Sequence, residues 1–568
     1  MSLKETELSP SISKADSGPS VLKAAGAMGF ATLMSRVLGL VREQVFAYFF
    51  GAGNFTDAFN IAFRIPNLFR DLFAEGAMSA SLVPTFTQTR EKEGERRAWR
   101  IAGLVFRCLF VFVALLSLLG IVFAPALVNL YASAFKQIPG KFEITVLMTR
   151  IMFPFFPLVA LAAAFMGVLN ASGAFFLPAF SSALFNLTSV GVGLAGVGLV
   201  SYFRWEFQPI IAMAIGVVAG GAVQAFVQLP LLRKKGYRWI PRAESDPEWQ
   251  KEPRLKQILG MMLPGMVGLA ATQVSLLVNT VLATSQGPGA VSWLNYAFRL
   301  MQFPIGVFGV SVASATLSRI SAQWARNEVD QAEVTLIRSM KTVFAINLPA
   351  SVGLAVLGIP IIELIFQYGR LYAEDAHAIA LALVMYSIGL TAYSSVKVLV
   401  PASYAFGNTR LPVISSILSV VITISLNLIM IRPFGYWGLA LGTSLAAIFN
   451  AIFLLFSIQK LIREKGGQFK ASHLLGPFCK YLAVAGGMGA LVWITHWGLL
   501  IGLPNSLFSE LMGSFGILVA RLIRVSIVVF EGAAILLIAG KIFRLNEILE
   551  IIEIFEKRVK NKVRLKRT

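Results

Sequence analysis

Arg36, Arg42, Glu43, Asp57, Arg64, Arg70, Asp71 and Glu75 crowd into one stretch of chain whose other residues are mostly apolar. A charged side chain at the centre of a membrane helix costs roughly 2.5–3.5 kcal/mol on insertion scales, so these groups must face water, protein or a ligand. Arginine dominates among them. Its guanidinium stays protonated when partly desolvated, and its planar fork makes bidentate, charge-assisted bonds to phosphate. The second half of the chain offers mainly Arg299 and Lys397, with Glu363 nearby in sequence. The expected chemistry is therefore a cationic cavity near the membrane midplane that takes an anionic, phosphate-bearing cargo.

A plainer reading also fits: arginines near helix ends snorkel to the surface and hold topology, and Arg299 serves as a structural partner for a carbonyl or Glu75. Helical phase suggests partial pairing, because Arg36 and Glu43 are seven residues apart, as are Asp57 and Arg64. Pro66 can kink the second helix, so phase is not carried across it.

The elements that position these residues are membrane helices. The hydrophobic fraction is 56% and the charged fraction 14%, with mean hydropathy +0.72, a balance that a polar-surfaced soluble domain does not reach. Apolar runs of membrane-spanning length lie near 21–50, 57–88, 101–130, 142–170, 176–202, 207–232, 256–284, 289–318, 337–367, 376–406, 412–431, 435–459, 476–502 and 514–540. The expected fold class is thus an all-α polytopic membrane protein of about 14 transmembrane helices.

Net charge is +21, and the placement of that charge argues for membrane topology rather than nucleic acid. Lysine and arginine gather in 90–100, 233–256, the 460–470 connection and the tail 556–568, whereas 285–289 and 503–510 contain neither. The positive-inside rule then puts both termini in the cytoplasm, and the basic tail and loops are expected to meet anionic phospholipid headgroups. Cys108 and Cys479 have no ligand spacing, the three histidines are scattered, and no phosphate-cradling G-x-x-x-x-G-K-[ST] run occurs. Enzyme chemistry and a resident metal or cofactor are not expected, although a coupling ion of unspecified identity is.

An internal repeat organises the chain. "GAFFLPAFSS" (173–182) and "GNTRLPVISS" (407–416) share G-x-x-x-L-P-x-x-S-S, with an offset of 407 − 173 = 234. "AFR" at 62–64 recurs at 297–299, and "SASL" (79–82) answers "SATL" (314–317), both at an offset of 235. Two nearly equal registers imply duplication into two pseudo-symmetric six-helix lobes around a V-shaped central cavity, plus two C-terminal helices. The expected organisation is a disordered cytoplasmic tail (1–20), a first lobe (21–235), a basic linker (236–255), a second lobe (256–470), a C-terminal helix pair (471–541), to which the family resemblance given below assigns a lipid-tail groove, and a basic amphipathic tail (542–568).

"SRVLGLVRE", "GAGNFTDAFNIAFRIPNLFRDLFAEGAMSASLVP", "VSWLNYAFRLMQFPIGVFGVSVAS" and "VKVLVPASYAFGNTRLPV" resemble the signature segments of the MurJ (MviN) flippases of the MATE-like exporter superfamily. The resemblance implies export of lipid II, the undecaprenyl-pyrophosphate-linked peptidoglycan precursor, across the bacterial cytoplasmic membrane. It implies that Arg36, Arg42, Arg70 and Arg299, with Glu43 and Asp57, lie in or near the central cavity, and that Glu75 belongs to a periplasmic-side gate. Arg64 joins the substrate-binding set from its place among the charges of the second span. Cell-wall synthesis proteins are partners compatible with that role.

The sequence also departs from the family pattern. Phe298 stands where some relatives carry an acid. Where some relatives hold sodium with carboxylates, this chain reads Asn279, Thr423, Asn427 and Thr443, so no sodium site is expected. Rival readings are an exporter of another polyprenyl-pyrophosphate-linked oligosaccharide and a non-transporting membrane scaffold. A pump for cationic drugs would favour acids over arginines.

Overall fold

In a computed structural model the chain is described over residues 19–72, 77–204, 206, 208–238 and 252–550, and among these it is helical without strands. The first group of helices comprises α1 (Pro19–Phe50), α2 (Asn54–Arg70), α3 (Ala77–Glu93), α4 (Glu95–Val122), α5 (Ala124–Ala132), α6 (Lys141–Met152), α7 (Phe155–Ala171), α8 (Phe176–Phe203), α9 (Ile210–Phe226) and α10 (Leu229–Lys234). The second group comprises α11 (Pro253–Thr284), α12 (Ala290–Pro304), α13 (Val310–Ala325), α14 (Val329–Val356), α15 (Gly358–Ile365), α16 (Ala373–Ala405), α17 (Arg410–Arg463), α18 (Leu475–Gly502) and α19 (Asn505–Ile542). The expected N-terminal tail, most of the basic linker, Glu75 and the tail beyond residue 550 lie outside the described residues.

Nine helices among the described residues are long and apolar enough to cross a membrane. They cover ten of the expected spans, because α17 contains two of them, joined at Gly435 where the backbone leaves helical geometry one residue after Phe434 and two after Pro433. The expected first, second, seventh and eighth spans are not among the nine. Those are the segments that carry Arg36, Arg42, Glu43, Asp57, Arg64, Arg70 and Arg299.

The two sequence repeats adopt the same local geometry. After α7, Gly173 (φ +78°) follows a turn in which Ser172, Gly173 and Ala174 N–H donate to the carbonyls of Val168, Asn170 and Leu169. After α16, Gly407 (φ +77°) sits in the matching turn, with Phe406, Gly407 and Asn408 donating to Ala402, Tyr404 and Ser403. Each of these donors and acceptors is 234 residues from its counterpart. The left-handed glycine closes the helix and returns the chain into the next one.

Packing divides the chain differently from the repeat. Unit one contains the residues up to Arg42, Phe69–Leu119 and Ile151–Gly265; unit two contains Glu43–Leu68, Gly120–Arg150 and the chain from Met266 on. Residues 43–68 and 120–150, which precede the second sequence repeat, therefore belong to unit two.

In unit one, Arg254 at the start of α11 bonds Glu93 of α3 at 2.6 Å, and Arg97 of α4 bonds Glu252 at 2.6 Å. The Arg254 hydrogen bond holds the Glu93 carboxyl below its usual range. In unit two, Leu336, Met340 and Val343 of α14, Val398 and Leu399 of α16, and Leu454 and Ile458 of α17 form a continuous apolar core. Large apolar side chains such as Val122, Ile501 and Phe530 point outward, as the lipid-facing surface of a bundle requires.

Candidate functional site

The geometry of unit two centres on Asp57, which is fully buried on α2. One carboxylate oxygen accepts the Gly289 N–H at 2.7 Å and the Lys141 ammonium at 3.1 Å; the other accepts the Ser292 N–H at 3.0 Å and the Ser292 hydroxyl at 2.7 Å. Asp57 thus caps α12 from another helix. The unpaired N–H groups at a helix start carry partial positive charge, and a carboxylate placed there satisfies them. Lys141, itself 3% exposed, supplies the countercharge and lies 4.0 Å from the centre of the Phe135 ring.

Further contacts along α2 and α12 extend this seam. Asn60 donates to the Ser292 hydroxyl at 3.2 Å and accepts from Asn295 at 3.4 Å. Asp57 faces Ser292, and Asn60 faces Asn295, each at a separation of 235 residues. That separation equals the offset of the sequence repeat.

The arginines of the two copies behave reciprocally. Arg64 of α2 donates to the Thr280 hydroxyl of α11 at 2.9 Å, whereas Arg299 of α12 lies 3.5 Å from the Glu43 carboxylate of α1. Glu43 is 4% exposed, while the Arg299 side chain keeps 43% of its surface accessible. The ion pair therefore leaves Arg299 with room for a further anion. Phe298 packs on Tyr386, ring centres 5.4 Å apart, consistent with Arg299 finding its acid on α1 rather than from its neighbour in sequence.

The Asp57–Arg64 pairing suggested by helical phase is not made. Residues seven apart share a helix face but are separated by about 10 Å along the axis, whereas partners on facing helices come within bonding distance. In unit one, Arg42 is 6% exposed, with its guanidinium 5.9 Å from the centre of the Phe185 ring. Arg36 is half-buried on α1, and Arg70 pairs with its neighbour Asp71 at 2.8 Å. Lys397 is exposed.

Of Asn279, Thr423, Asn427 and Thr443, all in unit two, the two asparagines bond each other. The Asn427 amide donates to the Asn279 carbonyl oxygen, and Asn427 is fully buried. The Thr423 and Thr443 hydroxyls donate to Ser419 and Leu439 carbonyls within their own helix. The set consists of neutral amides and hydroxyls without a carboxylate, the strongest oxygen ligand of a hard cation, and the Asn427 side-chain oxygen is buried without a hydrogen-bond partner.

Sequence reasoning missed Lys141 and the α12 start. Lys141 follows Pro139 and Gly140 at the head of an apolar run, where lysine ordinarily reads as an interfacial residue; nothing local to it announces an aspartate on another helix.

The family model described as lipid II flippase MurJ matches residues 46–510. The probable lipid II flippase MurJ of Bdellovibrio bacteriovorus is 34% identical over 474 residues, covering 82% of this chain and 87% of the relative. The lipid II flippase MurJ of Burkholderia cenocepacia is 34% identical over 467 residues, covering 82% and 88%. Among solved structures, a lipid II flippase MurJ in an inward closed conformation superposes with TM-score 0.72 at 24% identity, covering 91% of this chain and 98% of its own. An inward-facing multidrug resistance MATE family transporter of the MOP superfamily superposes at 0.64 with 14% identity, covering 78% and 100%, which bears on the fold alone. On the extent of the family match and the identity to these relatives, the chain belongs to the MurJ family of lipid II flippases.

Proposed function

We propose that this protein moves lipid II from the cytoplasmic to the outer leaflet of the bacterial cytoplasmic membrane by alternating access. Both termini are cytoplasmic in this reading, and the α2–α12 seam closes the outer end of the pathway. The observation that carries the mechanism is the seam itself: α2 and α12 meet through pairs at the repeat offset, Asp57 with Ser292 and Asn60 with Asn295. Contacts between copies are the ones that a rocking motion of one repeat against the other makes and breaks.

Guanidinium groups supply the chemistry for the diphosphate. Arg299 has accessible surface and a carboxylate partner, Glu43, that an incoming phosphate would displace. Arg36, Arg42, Arg64 and Arg70 are further candidates, and the exchange of protein bonds for substrate bonds keeps a buried cation from being left unpaired. Lipid II is favoured over other polyprenyl-pyrophosphate cargo by the names of the relatives. The basic loops bind anionic phospholipid headgroups, and cell-wall synthesis proteins are the expected protein partners.

The test reverses charge at Arg42 or Arg299 (Arg42→Glu, Arg299→Glu) and measures exposure of the lipid II headgroup on the outer surface of cells. The expected outcome is loss of exposure at least tenfold, corresponding to about 1.4 kcal/mol or more of lost stabilisation, with normal membrane assembly. Undiminished export by a properly folded variant would remove the arginines from the pathway.

A further inference from the structure

A second contact between the copies lies beside the seam, in backbone rather than side chains. The α1–α2 turn contains Gly51 (φ +67°), and the α15–α16 turn contains Gly369 (φ +63°). A β-carbon on Gly51 would lie 2.3 Å from the Arg370 carbonyl oxygen, and one on Gly369 would lie 2.2 Å from the Tyr48 carbonyl oxygen. The Arg370 N–H donates to that same Tyr48 oxygen at 2.9 Å. Each turn therefore needs a glycine twice over, for its left-handed backbone and for the approach of the other turn.

Both turns are held from behind. The Thr56 hydroxyl donates to the Gly51 carbonyl at 2.8 Å, and the Gln44 side-chain amide donates to the Ile365 carbonyl at 3.0 Å. Phe366 stacks on the fully buried Tyr296 of α12, ring centres 5.0 Å apart. Arg521 of α19 donates to the Glu363 carbonyl at 3.0 Å, the Gln367 carbonyl at 3.2 Å and the Gln367 side-chain oxygen at 2.6 Å. Its guanidinium lies 5.6 Å from the centre of the Tyr368 ring.

We propose that the Gly51 and Gly369 turns form an all-or-none backbone clasp that locks the outer end of α1–α2 to α15–α16, and that Arg521 sets its strength from α19. Contacts this close have no intermediate register: a shift large enough to loosen one carbonyl breaks the hydrogen bond and separates both glycines together. The C-terminal helix pair, which lies outside the duplicated segments, thereby gains a hold on the seal through one side chain. This inference rests on the alternating-access reading for its direction but not on the identity of the cargo.

The experiment places a reporter at Asn295→Cys, with Cys108 and Cys479 replaced by serine, and measures labelling by a membrane-impermeant thiol reagent added outside intact cells. Gly369→Ala is expected to raise labelling several-fold, and Arg521→Gln to raise it less, with Arg521→Lys between Arg521→Gln and the parent. Joining Tyr48→Cys to Arg370→Cys by oxidation in the reporter-free protein is expected to stop export and to restore it on reduction. Parental labelling in a folded Gly369→Ala protein overturns the clasp. If that variant does not assemble, undiminished export by the oxidised Tyr48→Cys/Arg370→Cys protein overturns it instead. Raised labelling in Gly369→Ala with none in Arg521→Gln removes the role of Arg521 and leaves the clasp. Labelling requires no substrate, so loss of the lipid II reading on export assays would leave this result intact.

Discussion

Asp57 accepts four polar contacts while fully buried, and three of them come from the start of α12. Lys141 is the only full positive charge among the four, so it offsets most of the cost of holding a carboxylate away from water. Replacing Lys141 with methionine keeps the volume and strips the charge, and is expected to destabilise the protein by about 3–5 kcal/mol, the usual range for breaking a buried pair. Thermal unfolding of purified protein checks this, and adding Asp57→Asn should recover part of the loss, because the second change removes the stranded charge. At this scale the sequence was legible for residue type and blind to partner. That Arg299, Glu43 and Asp57 could not face lipid followed from the cost of burial. Which group answered each one depended on helix packing, and the choice fell on Glu43 for Arg299 and on Lys141 for Asp57.

At the scale of helices, α11 and α17 meet through the Asn279–Asn427 amide pair. Gly442 packs so closely that a β-carbon there would lie 2.2 Å from the Asn427 side-chain oxygen. These positions carry no carboxylate, the strongest oxygen ligand of a hard cation, and the Asn427 side-chain oxygen is buried without a hydrogen-bond partner; purified protein is expected to melt at the same temperature in sodium and potassium salts of equal ionic strength. A sodium-specific rise of several degrees would show that these oxygens bind the cation. The apolar runs revealed most helices within a few residues, as for α8 and α18, because a bilayer demands continuous apolar length. They also separated the two spans within 410–463, whose helices break at Gly435, but not the conformation of that break, φ +62° and ψ −142°. Backbone φ and ψ at a glycine depend on what packs around it, which one-dimensional patterning does not carry.

Across the whole molecule, the family was readable because it leaves marks in the order of residues, above all the second-span signature, and the repeat offsets of 234 and 235 are marks of the same kind. The division into packing units was not, since it cuts α1 between Arg42 and Glu43 and depends on contacts between distant segments. The driving force also belongs to this scale, and we propose that membrane potential or an ion gradient supplies it, since the sequence holds no phosphate-cradling G-x-x-x-x-G-K-[ST] run. An anionic headgroup crossing outward against an inside-negative membrane gains about 2.3 kcal/mol per charge per 100 mV. In proteoliposomes with such a potential, lipid II exposure is expected to rise several-fold and to fall back when an ionophore collapses it. Equal rates under both conditions would assign the energy to another source.

The pairing of Asp57 with Ser292 at the repeat offset bears on ancestry. Had two identical half-length chains met about a twofold axis here, each residue on the axis would have faced itself, acid against acid or alcohol against alcohol. Tandem fusion lifts that restriction, and an anion opposite a hydroxyl is a pairing open only to halves that mutate independently. The seam is accordingly chemically lopsided, with its one ammonium, Lys141, answering the acid of a single half.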